Sequence, residues 1–163
     1  MSINFLNRNC QETPSHRDIF GLCDAQDGSR AYTNTDNPAT WIATVKNNRN
    51  IALIFTAVDK CVLQDHDEIG RGRCDGLLTS EEHIYFVELK NEKGSWVTKA
   101  IDQLESTIKF FIENHSIEDF RHKKAFACNK RHNKFQEIDN ELNLRFFRTY
   151  KVRLDVQAEI IFI

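Results

Sequence analysis

The spacing of apolar side chains changes period several times along the chain, and each change predicts an element. Residues 50–58, NIALIFTAV, form an apolar run rich in β-branched and aromatic side chains, and KCVLQ carries it past Asp59, so one strand or two are expected there. CDGLLTS and HIYFVELK flank a short Glu81-Glu82 turn and predict an antiparallel hairpin. Between Trp96 and Glu113 the period turns helical, with Val97, Ala100, Ile101, Leu104, Ile108 and Phe111 falling on one face. KKAFACN predicts a further strand; Phe135, Ile138 and Leu142 predict a second helix; Val152, Leu154, Val156, Ala158 and Ile160 alternate as a final strand. Upstream, residues 24–40 are polar and turn-rich. Asn37 before Pro38 predicts a capped helix carrying Trp41, Ile42 and Val45 through about Lys46. The expected order is helix, three strands, helix, strand, then an appended helix and strand, which is an α/β chain.

A length of 163 residues with 40% apolar content and twelve Phe suits a single domain, 1–163, with one core. The net charge of -2 excludes a long-range basic field, so any polyanion-binding surface must be local. No apolar run approaches the ~18 residues a membrane helix requires. The five cysteines show no CxxC pair, and no apolar leader precedes them, which together suggest a reducing cytoplasm. Cys61, His66 and Cys74 lack the tight spacing of a zinc site. The GRG at 70–72 lacks the strand, loop and helix context of a nucleotide-binding loop.

Candidate chemistry lies in the hairpin. If its turn is centred between Glu81 and Glu82, residues whose numbers sum to 163 face each other, and Asp75 and Glu88 satisfy that sum. They become a cross-strand pair with Cβ atoms ~5 Å apart on one face. Lys90, two residues beyond Glu88, shares that face, and Tyr85, Val87 and Leu89 take the other. Carboxylates held that close repel unless a cation lies between them. Asp and Glu oxygens suit a hard divalent ion, Mg²⁺ or Mn²⁺, which keeps open positions for water and substrate phosphate. Lys90 beside them is placed to orient or deprotonate a water, or to neutralise charge on a phosphate.

Asp75, then VELK with Glu88 and Lys90 ending a strand, then a helix with AIDQL, resembles the PD-(D/E)XK nuclease superfamily over roughly residues 50–130. The resemblance implies a restriction-endonuclease-like αβββαβ core: a central mixed sheet flanked by helices, with the C-terminal helix and strand as an appendage. It implies Asp75 and Glu88 as metal ligands with the Leu89 carbonyl as a third, Lys90 as catalytic, and Gln103 as the glutamine that a subset of these nucleases carries on the next helix. Cys74 stands where the family pattern has Pro, and the expected first helix has no acid. Asp59, or one of Asp65, Asp67 and Glu68, is left to supply any additional acid.

Charge distribution adds a polyanion surface. From 119 to 153 there are ten Lys or Arg against four acids. Lys130, Arg131 and Lys134 should emerge at a sheet end as nucleic-acid contacts, and Arg71 and Arg73 should join them at the same mouth. The expected function is a Mg²⁺-dependent nuclease acting on nucleic acid, DNA in particular, as many homodimeric relatives do. The alternative is a catalytically silent chain of the same fold that binds nucleic acid or serves as a toxin, immunity or defence-system subunit.

Overall fold

Strand β6, His83–Lys90, is buried at seven of its eight positions, a pattern that requires cover on both faces of its sheet. The structure, a computed structural model, describes residues 3–132 and 134–163 and supplies that cover from two different layers. The middle layer is a five-stranded mixed sheet in the order β4-β5-β6-β7-β8, formed by Ile54–Ala57, Gly76–Thr79, His83–Lys90, His122–Asn129 and Arg153–Val156. The pairings β4 to β5 and β5 to β6 are antiparallel, while β6 to β7 and β7 to β8 are parallel.

Alternation along these strands feeds two cores. On one face Leu77, Ile84, Phe86, Ala125, Ala127 and Leu154 pack against helix α1, Val97–Asn114, and helix α2, Asn140–Tyr150. On the other face Leu78, Tyr85, Val87, Leu89 and Phe126 meet a second mixed sheet. That sheet has the order β2-β1-β3-β9 and consists of Tyr32–Asn34, Ile19–Cys23, Ala43–Asn47 and Glu159–Phe162. The chain is therefore mixed α/β with both helices on one side and a second sheet where a helix was expected. No helix among the described residues is long and apolar enough to cross a membrane.

The departures from the sequence expectation have physical causes. The helix expected over 37–46 is a single 3₁₀ turn, Pro38–Thr40, followed by strand β3. Thr44 and Val45 are β-branched, and pairing with β1 and β9 on either side outweighs the helix start at Pro38. The second helix begins only at Asn140, where Asp139 caps the amide of Glu141, and Phe135 is left 61% exposed. The final alternating stretch is two strands: β8 joins the middle sheet, and after Gln157 the chain crosses to the outer one as β9. Residues before 37, which carry no recognisable motif, form β1, β2 and a buried anchor, Phe5, against Phe110 and Phe111. Cys10 and Cys61 form a disulfide rather than two of five separate thiols, leaving Cys23, Cys74 and Cys128 free and buried.

Gly76 tests the middle layer, because an added Cβ would sit 2.4 Å from the buried Phe55 ring and 3.0 Å from the Thr56 carbonyl. Gly76→Ala should cost about 1–3 kcal/mol, read as a lower Tm; an unchanged melt would contradict this β4–β5 packing. Cys61→Ser opens a link spanning 51 residues and should cost up to roughly 4 kcal/mol in denaturant titrations without reductant.

Candidate functional site

The β5–β6 hairpin has the expected register. Gly76 pairs with Val87, Leu77 with Phe86, Leu78 with Tyr85 and Thr79 with Ile84, and a hydrogen bond from the Ser80 amide to the His83 carbonyl closes the turn. Asp75, one residue before β5, thus lies level with Glu88. Its own amide donates to the Val87 carbonyl at 3.1 Å, and its Oδ2 accepts from the Leu89 amide at 2.7 Å. Glu88 and Lys90 point to the helix-bearing face, and Lys90 Nζ lies 2.9 Å from Glu88 Oε2. Glu88 is 2% exposed; its other oxygen, Oε1, has no N–H or hydroxyl partner among the described residues, and the Asp75 and Glu88 carboxyls share a hydrogen bond when Asp75 is protonated.

Enclosure controls the charge states. Burial pushes the Asp75 carboxyl well above its ordinary range, the negative charge of Glu88 adds to the rise, and the Leu89 amide works against it. Burial likewise raises Glu88 to about 7 although Lys90 opposes the shift. For Lys90, burial disfavours the ammonium, but Glu88 and Asp75 outweigh it and hold the group above its ordinary value. Lys90 is therefore a cation at neutral pH. The thiols of Cys74 and Cys128 are pushed far up by burial, with Glu88 adding to both, which removes them as nucleophiles.

Helix α1 adds Gln103 from the same face. Thr107, one turn on, accepts from the Cys74 amide at 2.7 Å and donates to the Gln103 carbonyl at 3.0 Å, so the helix is fixed directly to the chain entering Asp75. Gln103 Oε1, and Thr56 Oγ1 on the cross-strand partner of Leu77, are further enclosed oxygens without a partner among the described residues. Asp59 lies in the loop after β4; burial raises its carboxyl, and its charge is felt at Glu88. Asp24, just past β1, acts on both Asp75 and Asp59. Sequence spacing could not single out Asp24, since the second sheet alone brings its loop here. From that loop Gln26 Nε2 donates to the Leu89 carbonyl at 3.4 Å, the oxygen expected to face a metal. Asp65 pairs with Lys60 instead, and Asp67 caps the amide of Gln64. No group of three or more His, Cys, Asp or Glu disposed to hold a metal occurs among the described residues.

The basic residues divide. Arg71 lies 3.8 Å over the Phe110 ring and makes a two-pronged pair with Glu113. Arg73 donates to the carbonyls of Gln64 and Asp67, both at 2.8 Å. Both guanidinium groups are engaged in these contacts within the chain. Lys130, Arg131 and Lys134 do emerge past the end of β7, and the Lys130 amide donates to the Lys90 carbonyl at 2.9 Å.

The raised Glu88 value sets a pH dependence. The folded chain keeps a proton up to about pH 7 that the unfolded chain releases near its ordinary value of 4.5. In chelator, stability should therefore fall as pH rises through that window and stay lowered above it, by up to about 3 kcal/mol, with Asp75 acting in the same direction. Glu88→Gln should be at least as stable as the wild type above the window, the difference closing below it; thermal melts showing the variant collapsed throughout would make Glu88 a structural anchor. Comparison with protein-family models, with curated proteins and with solved structures finds no match for this chain.

Proposed function

We propose that the chain is a metal-dependent nuclease of the PD-(D/E)XK type, hydrolysing phosphodiester bonds of nucleic acid. The observation that carries the reading is the convergence of Asp75, Glu88 and Lys90 on one face of the hairpin, with Glu88 Oε1 enclosed and receiving no N–H or hydroxyl donor. The order β4, β5, β6, α1, β7, with its antiparallel and then parallel pairings, supports the βββαβ part of that core. The second sheet takes the place of the core's first helix.

The donor set fits a hard divalent ion: two adjacent carboxylates whose mutual repulsion and burial both call for positive charge, and an enclosed oxygen without an N–H or hydroxyl donor. Asp75, Glu88 and the Leu89 carbonyl would hold Mg²⁺ or Mn²⁺, Gln26 releasing that carbonyl. When bound, such an ion acidifies a water and neutralises charge on phosphate oxygens. Lys90, already protonated, is suited to stabilising negative charge on the phosphate rather than to taking a proton from water. Gln103 Oε1 would accept a hydrogen bond from the attacking water and orient it.

A second reading draws on the depth of the same residues. Glu88 is almost fully enclosed and already paired with Lys90, which suits a silent chain that keeps the fold and binds nucleic acid through its basic surface. Incubation with single-stranded and duplex substrates separates the two. The nuclease should cut with Mg²⁺ or Mn²⁺ and not in chelator, and Lys90→Ala should slow cutting about 10²–10³-fold without weakening binding in chelator. Binding without any metal-dependent cutting establishes the second reading.

A further inference from the structure

Past the end of β7 the chain borders a groove of about 980 Å³ that runs onto the outer face of the second sheet. Lys46, Lys130 and Lys134 line it together with Trp41 and Phe135, against one carboxylate, Glu159. Phe135 is 61% exposed, although the spacing predicted it to be a core residue of a helix. The Trp41 ring lies flat against Gly21, where an added Cβ would fall 2.0 Å from the indole. It is held there by a 3.0 Å hydrogen bond from Nε1 to Asn34 Oδ1, so its position is set before any ligand arrives. Lys46 and Glu159 form a 3.1 Å pair in which each side chain is nearly half exposed, so exchanging that carboxylate for a phosphate loses little. Lys130 anchors the groove at its inner end: its Nζ donates to the Ala39 carbonyl at 2.6 Å and its amide to the Lys90 carbonyl.

We propose that this groove seats a single-stranded polynucleotide, with unstacked bases lying on Phe135 and Trp41 and phosphates drawn to Lys46 and Lys134. The proposal rests on the nucleic-acid reading of the candidate site and names the form of its substrate. Cationic side chains alone would accept a duplex as readily, since a duplex presents phosphates outward. Aromatic faces are different, because base faces inside a duplex are already stacked and only a single strand offers them. The open, lysine-lined shape also differs from a small-molecule site, which encloses most of its ligand. Lys130 ties one end of the groove to the end of β6, whereas Glu88 and Lys90 face the helices on the other side of the middle sheet.

Fluorescence anisotropy on the full chain in chelator, with labelled single-stranded DNA, single-stranded RNA and a duplex of the same sequence, tests this apart from cleavage. At least one single strand should bind about tenfold or more tightly than the duplex, the DNA and RNA arms deciding the sugar. Phe135→Ala should weaken that binding about 5- to 150-fold, as loss of one stacked base predicts at about 1–3 kcal/mol, while Phe135→Trp retains it and neither change moves the melting temperature. Glu159→Gln should strengthen it. Equal or tighter duplex binding, or single-strand affinity unchanged in Phe135→Ala, overturns the groove assignment. A chain that binds single strands through Phe135 yet never cuts keeps this proposal and loses the nuclease; one that cuts while Phe135→Ala binds normally loses only the groove.

Discussion

A sheet covered on both faces has no solvent side on which to place a charge, and the middle sheet here is covered by helices on one side and a second sheet on the other. A carboxylate on such a sheet must sit near a strand end and find a partner, or stay protonated. Glu88 does the first with Lys90 and retains a tendency toward the second, since its carboxyl is raised to about 7 despite the ammonium. Register then decides what else shares the enclosure. One residue of slip between β5 and β6 would turn Asp75 away, and both the strained electrostatics and the candidate chemistry would vanish together.

The enclosure holds more negative than positive charge. Glu88 and Asp75 adjoin one ammonium, Lys90; the charges of Glu88 and Asp24 raise the Asp75 carboxyl, and that of Asp59 raises Glu88. Such a cluster opposes folding in isolation and is relieved by a cation. Under the proposed metal-dependent reading, stability and divalent-ion affinity would be linked through the same few oxygens, and a substitution that relieves the repulsion would weaken the ion's hold.

Hairpin register and the long helix were legible in the sequence because each depends on local periodicity. The parity of Asp75, Glu88 and Lys90 follows from the length of a two-residue turn, and the face of α1 follows from its spacing of apolar residues. What was not legible depends on partners distant in sequence. Residues 43–47 become a strand because β1 and β9 lie beside them, and a period of two along 152–160 reports one buried side without saying which sheet receives it. Asp24 and Gln26 reach the site only because β1 places their loop there, and Cys10 meets Cys61 only when the amino-terminal segment crosses the loop after β4. Composition could not show that the Arg71 and Arg73 guanidinium groups engage Glu113 and backbone carbonyls.

Strand β9 lies parallel to β3, with Thr44 opposite Glu159 and Asn47 opposite Phe162, while the Phe162 ring stacks on Tyr85 at 4.3 Å. During synthesis on the ribosome, β1, β2 and β3 emerge early yet wait for these late residues before their layer is complete. Until then one edge of β3 and the apolar underside of β6 remain open to other chains, which makes this interval the period of greatest vulnerability to aggregation and closure of the outer layer a slow, non-local event in folding.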